Sequence, residues 1–233
     1  MNVNEFIKEL EKLNIKLNDK QLNDLQTYYE MLVEYNNHTN LTRITNKEDV
    51  YLKHFYDSLT LVKAIDLSNQ NLLDIGTGAG FPGLVLKIIF PDLNVTLVDS
   101  LNKRIIFLNQ VIEVLKLKNV KAVHARAEEY IKGNRESFDI VTSRAVANLN
   151  TLCELCIPFV KQGGYFIAMK AEVQDEIDTS QNAIKTLGAV LKETIIFKLP
   201  KENSIRTLVK IEKVEKTSVK YPRKFNEIKK KPL

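Results

Sequence analysis

The sequence predicts an α/β fold, a largely parallel sheet with helices on both faces, preceded by a helical extension. Three observations predict it. Residues 1–66 place apolar side chains at helical spacing and contain neither glycine nor proline. From Asn71 onward, short β-rich runs alternate with helical ones, the pattern of strand–helix–strand units. The last two runs, residues 190–199 and 205–214, have no helix between them, so they must pair antiparallel. The expected sheet has seven strands and ends in an antiparallel one.

The elements follow in order. Asn4 is expected to cap a short helix carrying Phe6, Ile7, Leu10 and Leu13, followed by a loop over residues 14–18. Asn18 with Gln21 reads as a capping box, and Leu22, Leu25, Tyr29, Leu32 and Val33 recur behind it at helical spacing. Asn46, ahead of Glu48 and Asp49, opens a third helical stretch through Ile65. Strands are expected over residues 72–75, 95–99, 120–125, 138–143 and 165–170, with helices over 83–90, 102–117, 150–160 and 175–187. The expected organisation is a helical cap (1–66), a sheet domain (67–215) and a basic tail (216–233).

Composition narrows the class. With 233 residues, 44% hydrophobic and 27% charged, the chain is an ordinary globular protein, which excludes disorder, collagen and coiled coil as descriptions of the whole. No apolar run approaches the roughly 18 to 20 residues that a membrane-spanning helix needs. The N-terminus lacks a hydrophobic signal region and two cysteines make no disulfide framework, so a cytoplasmic location is expected, with no membrane partner. The formal charge of +5 is local: residues 210–233 hold nine basic and three acidic side chains, and the rest is near neutral.

The strongest signal is the run Leu72-Leu73-Asp74-Ile75-Gly76-Thr77-Gly78-Ala79-Gly80-Phe81-Pro82-Gly83. A buried strand enters a glycine-rich turn and then a helix, with Pro82 suited to the first helical position. Such a turn lets a ligand approach the backbone, next to free N–H groups of the helix. The dinucleotide fingerprint fails because Phe81 stands where its third glycine belongs, and no Gly-Lys-Ser/Thr follows for a phosphate loop. The D-x-G-x-G-x-G pattern instead resembles motif I of class I S-adenosylmethionine-dependent methyltransferases.

Other positions fall into register with it. Asp99 ends the second strand 19 residues after Gly80, where a carboxylate can accept bonds from ribose hydroxyls and also cap the next helix. After the third strand, Arg126-Ala127-Glu128-Glu129 offers a carboxylate and backbone groups to an adenine edge. At the end of the fourth strand, Thr142-Ser143-Arg144-Ala145 lacks the Asn/Asp-Pro-Pro-Tyr/Phe arrangement used for exocyclic amines. Cys153 and Cys156 lie at helical spacing among apolar neighbours and read as core, not as nucleophiles. With no evident general base, an acceptor that is nucleophilic at neutral pH is favoured, and guanine N7 is one. Arg144 is then expected at guanine O6, a phosphate or the cofactor carboxylate, since a cation on N7 would block its lone pair.

Asn40-Leu41-Thr42, His54-Phe55-Tyr56-Asp57-Ser58, Asp74 through Gly83, Asp99-Ser100 with Lys103-Arg104, Ser143-Arg144-Ala145, Lys170 and Tyr221-Pro222-Arg223-Lys224 occur in one order. Together they resemble the bacterial glucose-inhibited division protein B family, the ribosomal RNA small subunit methyltransferase G. The resemblance implies a class I methyltransferase fold, Rossmann-like and seven-stranded, and methyl transfer from S-adenosylmethionine to N7 of a guanosine in 16S ribosomal RNA, free or in a small-subunit particle. A monomer is expected. It implies Gly76, Gly78, Phe81, Ala127, Glu128 and Arg144 as cofactor residues, with Asp99 added by the ribose argument. Lys170, Arg144, His54 and Asn40 are the candidates for the substrate. His54 either meets RNA or orients Asp57 and packs between cap and sheet, and Lys103-Arg104 either binds phosphate or covers a helix. The aromatics Tyr28, Tyr29, Tyr35, Phe55 and Tyr56 read mainly as core, with one of them a candidate to stack on a flipped guanine. The lysine-rich tail is expected to be a flexible clamp on RNA phosphates. A methyltransferase of another acceptor, or a non-enzymatic RNA-binding assembly factor, are the competing readings.

Overall fold

In the computed structural model, which describes residues 1–144 and 147–233, the strands fall on the runs that the pattern predicts, except that β5 starts at Val160, where a helix was expected to end, and not at Tyr165. The strands are β1 (Asn71–Ile75), β2 (Asn94–Asp99), β3 (Val120–His124), β4 (Phe138–Arg144), β5 (Val160–Lys170), β6 (Ala189–Lys198) and β7 (Ile205–Lys213). They form one sheet in the order β3-β2-β1-β4-β5-β7-β6, and only β7 runs against the others. The central strands β1 and β2 are buried after their first residue, as parallel strands covered on both faces must be.

Alternation along the strands separates two cores. Leu72, Val95 and Leu97 face α5 (Gly83–Ile89), α6 (Asn102–Val114) and the N-terminal helices. Leu73, Val98, Val141 and Phe166 face the opposite layer, α8 (Leu149–Cys156) and α9 (Gln174–Thr186), where Cys153 and Cys156 are buried. The short helix α7 (Ala127–Tyr130), which the sequence pattern does not reveal, follows β3.

The N-terminal extension departs from a continuous helix. α1 (Val3–Glu11) is capped by Asn2 rather than Asn4, because Asn2 and Glu5 exchange the two bonds of a capping box. α2 (Asp19–Asn36) has the expected Asn18–Gln21 box. Residues 37–46 are irregular, with Asn36 Oδ1 accepting from Leu41 N and Thr42 N. The third stretch is α3 (Lys47–Val50), a π-helical segment Tyr51–Tyr56, α4 (Asp57–Leu59) and a tight 3₁₀ turn Thr60–Lys63. Wide π turns are rare and recur at functional sites, and this one carries His54.

The tail is folded onto the sheet domain, not flexible as its lysines suggest. Tyr221 and Ile228 are buried, and α10 (Phe225–Lys230) packs beside α8. Apolar side chains every few residues between the lysines give the segment a face to bury.

Candidate active site

The order of the strands reverses direction at β1 and β4, and ligands of such sheets bind there, beyond the C-terminal strand ends. The glycine loop leaves β1 at this point. Asp74, fully buried at the end of β1, braces it: Oδ2 accepts from Thr77 Oγ1 (2.7 Å) and Gly83 N (2.9 Å). Burial pushes the Asp74 carboxyl up to about 6, against those two bonds and the nearby Arg144 charge. Pro82 stands one residue before α5, as its cap, and not inside the first turn.

Two glycines of the loop differ in purpose. Both need the left-handed backbone, with φ of 63° at Gly78 and 104° at Gly80. A Cβ on Gly80 would lie 2.5 Å from the Tyr28 hydroxyl, so that position serves packing against the cap. A Cβ on Gly78 would meet nothing within 4 Å, so the loop is open there. The opening is a cleft of about 430 Å³ lined by Gly76, Gly78, Phe81, Asp99, Arg104 and Arg144, together with Leu41, Thr42 and His54.

Asp99, at the end of β2, lies where the glycine loop and the start of α6 meet. It reaches the cleft, and its Oδ1 accepts at 2.9 Å from the backbone N of Leu101, the residue that precedes α6, which anchors the entry to the helix without capping its first turn. Its Oδ2 takes Gly78 N (2.9 Å) and Arg104 Nη1 (3.0 Å). Arg104 is therefore neither a free phosphate ligand nor a plain surface residue, whereas Lys103 is exposed on α6. The exit of β3 lies alongside, since Ala125 N donates to Asp99 O (3.1 Å). Ala127 is buried and Glu128 half-buried at the start of α7, and neither is among the residues lining the cleft.

A second cavity, about 310 Å³, adjoins the first, and Arg144 and His54 line both. Its floor is apolar, from Ile44, Met169, Phe197 and Leu208, and its rim carries Lys53, Lys170 and Arg206. His54 stacks on Phe81 at 4.3 Å between ring centres, and its Nε2 meets Thr42 Oγ1 at 3.0 Å. Burial, and then the Arg144 charge, pull its pKa down to about 3, so the ring is neutral. It does not orient Asp57. That carboxylate is 5% exposed and bridges two guanidinium groups, Arg144 Nη1 at 3.1 Å and Arg206 Nε at 3.0 Å.

Lys170, at the end of β5, also lies at this cavity, with Nζ on Ala147 O (2.7 Å) and Glu176 Oε2 (2.9 Å). Asn40 is exposed and borders neither cavity; its neighbours Leu41 and Thr42 border the first. Ala145, part of the strand-four run, lies outside the described residues. Asp57 and Arg206 are the residues that sequence reasoning passed over. Asp57 stands in a quoted motif, but Arg206, 149 residues away, has no local signal. Tyr28 and Phe55 are fully buried, which removes them as stacking platforms, while Phe197 does border the second cavity.

The family model described as GidB, rRNA small subunit methyltransferase G, matches residues 21–205. The chain belongs to this family. Ribosomal RNA small subunit methyltransferases G from Bacillus licheniformis and Staphylococcus carnosus are 51% and 50% identical to it, each over 100% of this chain and 99% of the relative. The Bacillus subtilis protein of the same name is 49% identical over the same shares. Solved structures match the fold: TrmN from Thermus thermophilus has a TM-score of 0.55 at 16% identity, covering 67% of this chain and 48% of that one. TYW2 from M. jannaschii, in complex with AdoMet, also scores 0.55, at 18% identity, covering 68% and 77%. As a member of the small subunit methyltransferase G family, the protein is an enzyme with a class I methyltransferase fold.

Its first cleft suits a methyl donor with a hydroxylated sugar and an amino-acid end. The loop is open above Gly78, a carboxylate stands at the end of β2, and Arg144 offers a guanidinium to an anionic group.

Proposed function

We propose that the protein transfers a methyl group from S-adenosylmethionine to N7 of a guanosine in 16S ribosomal RNA. Family membership supports the RNA acceptor, and one observation carries the chemistry: the open glycine-loop cleft and the second cavity share a wall made of Arg144 and His54. S-adenosylmethionine supplies an electrophilic methyl group on a sulfonium, and the residues around it have only to position and polarise.

In this reading Gly76, Gly78 and Phe81 line the methionine end, Asp99 takes the ribose, and Ala127 with Glu128 meet adenine. The second cavity takes the guanine, with Lys170, Arg206 and Arg144 toward O6 or phosphate. Among the described residues lining the two cavities, none is a strong base. His54 is neutral with a pKa near 3, and Asp57 is held by two arginines. Guanine N7 needs none, because its in-plane lone pair attacks without losing a proton, so catalysis rests on in-line positioning. Asn40 has no part in this reading.

The test is direct. The protein is incubated with labelled S-adenosylmethionine and ribosomal particles from cells lacking it, and N7-methylguanine is mapped by chemical cleavage. A single cleavage in 16S RNA is expected. Label in protein, or on another atom of the base, gives the reading up.

A further inference from the structure

The carboxy-terminal segment lies beyond the region that the family model matches, yet it is tied down along its length. Thr217 N donates to Glu136 Oε1 (3.0 Å) and Thr217 Oγ1 to Leu187 O (2.6 Å). Arg135 donates to Tyr221 O. Arg223 grips Glu154, a fully buried carboxylate on α8, through its backbone N (2.9 Å), Nε (2.8 Å) and Nη2 (2.6 Å). Two residues later, Phe225 N donates to Glu128 Oε1 at 3.3 Å. That bond, between residues 97 apart, reaches the carboxylate assigned to adenine.

We infer that the tail is a positioning element for the cofactor: the Phe225 N–H, held in place by the Arg223–Glu154 clamp, orients the Glu128 carboxylate. The inference rests on the reading of Glu128 as an adenine contact. A carboxylate on a four-residue helix has several rotamers, and one backbone donor leaves its other oxygen free to accept. The role is opposite to that of an RNA clamp, since loss of the segment then costs cofactor affinity.

Phe225 permits a sharp test. It is the first residue of α10, where proline is tolerated, and Lys224 before it has φ −61° and ψ 141°, the extended backbone that a following proline requires. Phe225→Pro removes the donor and the ring, whereas Phe225→Ala removes only the ring. S-adenosylmethionine affinity is measured by calorimetry on both full-length variants, with melting temperature followed in parallel. Phe225→Pro is expected to bind about three- to tenfold more weakly than Phe225→Ala, and the difference should vanish in a Glu128→Ala background. A chain ending at Lys224 removes the donor without asking the backbone to accept proline, and it should lose affinity similarly. Equal affinity of the proline and alanine variants overturns the inference, as does full affinity of the shortened chain. If Glu128→Ala itself binds the cofactor normally, the adenine reading is what fails.

Discussion

His54 shows how much a single side chain's role depends on what is packed around it. Its ring lies between Thr42 and Phe81, next to Arg144, and burial holds it neutral. The unfolded chain protonates this histidine near its ordinary value of 6.5, while the folded one resists until about 3. Within that window the unfolded state binds more protons, so stability falls as the pH drops. Asp74 opposes this, because its folded pKa of about 6 lies above the ordinary 3.8 and makes the folded state the better proton binder between those values. The difference in melting temperature between wild type and His54→Gln isolates the histidine. The wild type should lose more stability than the variant on going from pH 7 to pH 5, and parallel curves would place His54 in a solvated setting. Lys170 makes a second residue-scale prediction. Lys170→Ala should leave cofactor affinity intact and lower transfer to RNA by about tenfold or more, as loss of a charge-assisted contact does. Normal transfer by the variant removes Lys170 from the substrate site. Both residues could be picked out in the sequence. Their partners could not, because Thr42, Phe81 and Glu176 come from other elements.

The glycine loop and α2 show what elements do to one another. The Tyr28 hydroxyl, on α2, donates to Ala79 O inside the loop, and its ring stacks with Phe55, Phe81 and Phe107. The helical cap is thereby a wall of the cofactor loop as well as a cover for the sheet. Tyr28→Phe keeps the stacking and leaves a buried carbonyl without its donor, which costs about 1–3 kcal/mol. Weaker cofactor binding is expected together with a lower melting temperature, and an unchanged dissociation constant would show that the loop holds its shape without the cap. The loop and its flanking strand and helix were legible because the glycines, the strand run and the helix are contiguous. The π-helical segment and α7 were not, because packing decides the first and the second is only four residues long.

At the scale of the molecule, the net charge is unevenly spread, and the fold decides which positive charges stay available. Of the nine basic residues in 210–233, Arg223 is committed to buried Glu154 and Lys213 to Glu136. Removing Arg223 leaves a buried carboxylate without its counter-charge, so Arg223→Ala should destabilise the protein by about 3 kcal/mol, read by denaturant unfolding. The exposed Lys229, Lys230 and Lys231 behave differently. Replacing all three by glutamine should leave the unfolding midpoint unchanged. If these lysines touch RNA, the slope of log affinity against log salt should also become shallower by up to about 3. An unaltered slope would show that the tail lysines are merely solvated.

The class of sheet, the antiparallel last strand, the glycine loop and the acidic residue ending β2 can all be read along the chain. These are set by period, by glycine and by short fixed spacings, all of which operate within one strand–turn–helix unit. Packing in three dimensions is what lets Asp57 join Arg144 to Arg206, sets Arg104 on Asp99, and folds the tail back on Glu154 and Glu128. The Asp57–Arg206 and tail contacts join residues 69 to 149 positions apart. Strand order and helix packing bring such residues together, and no local pattern in the chain encodes that.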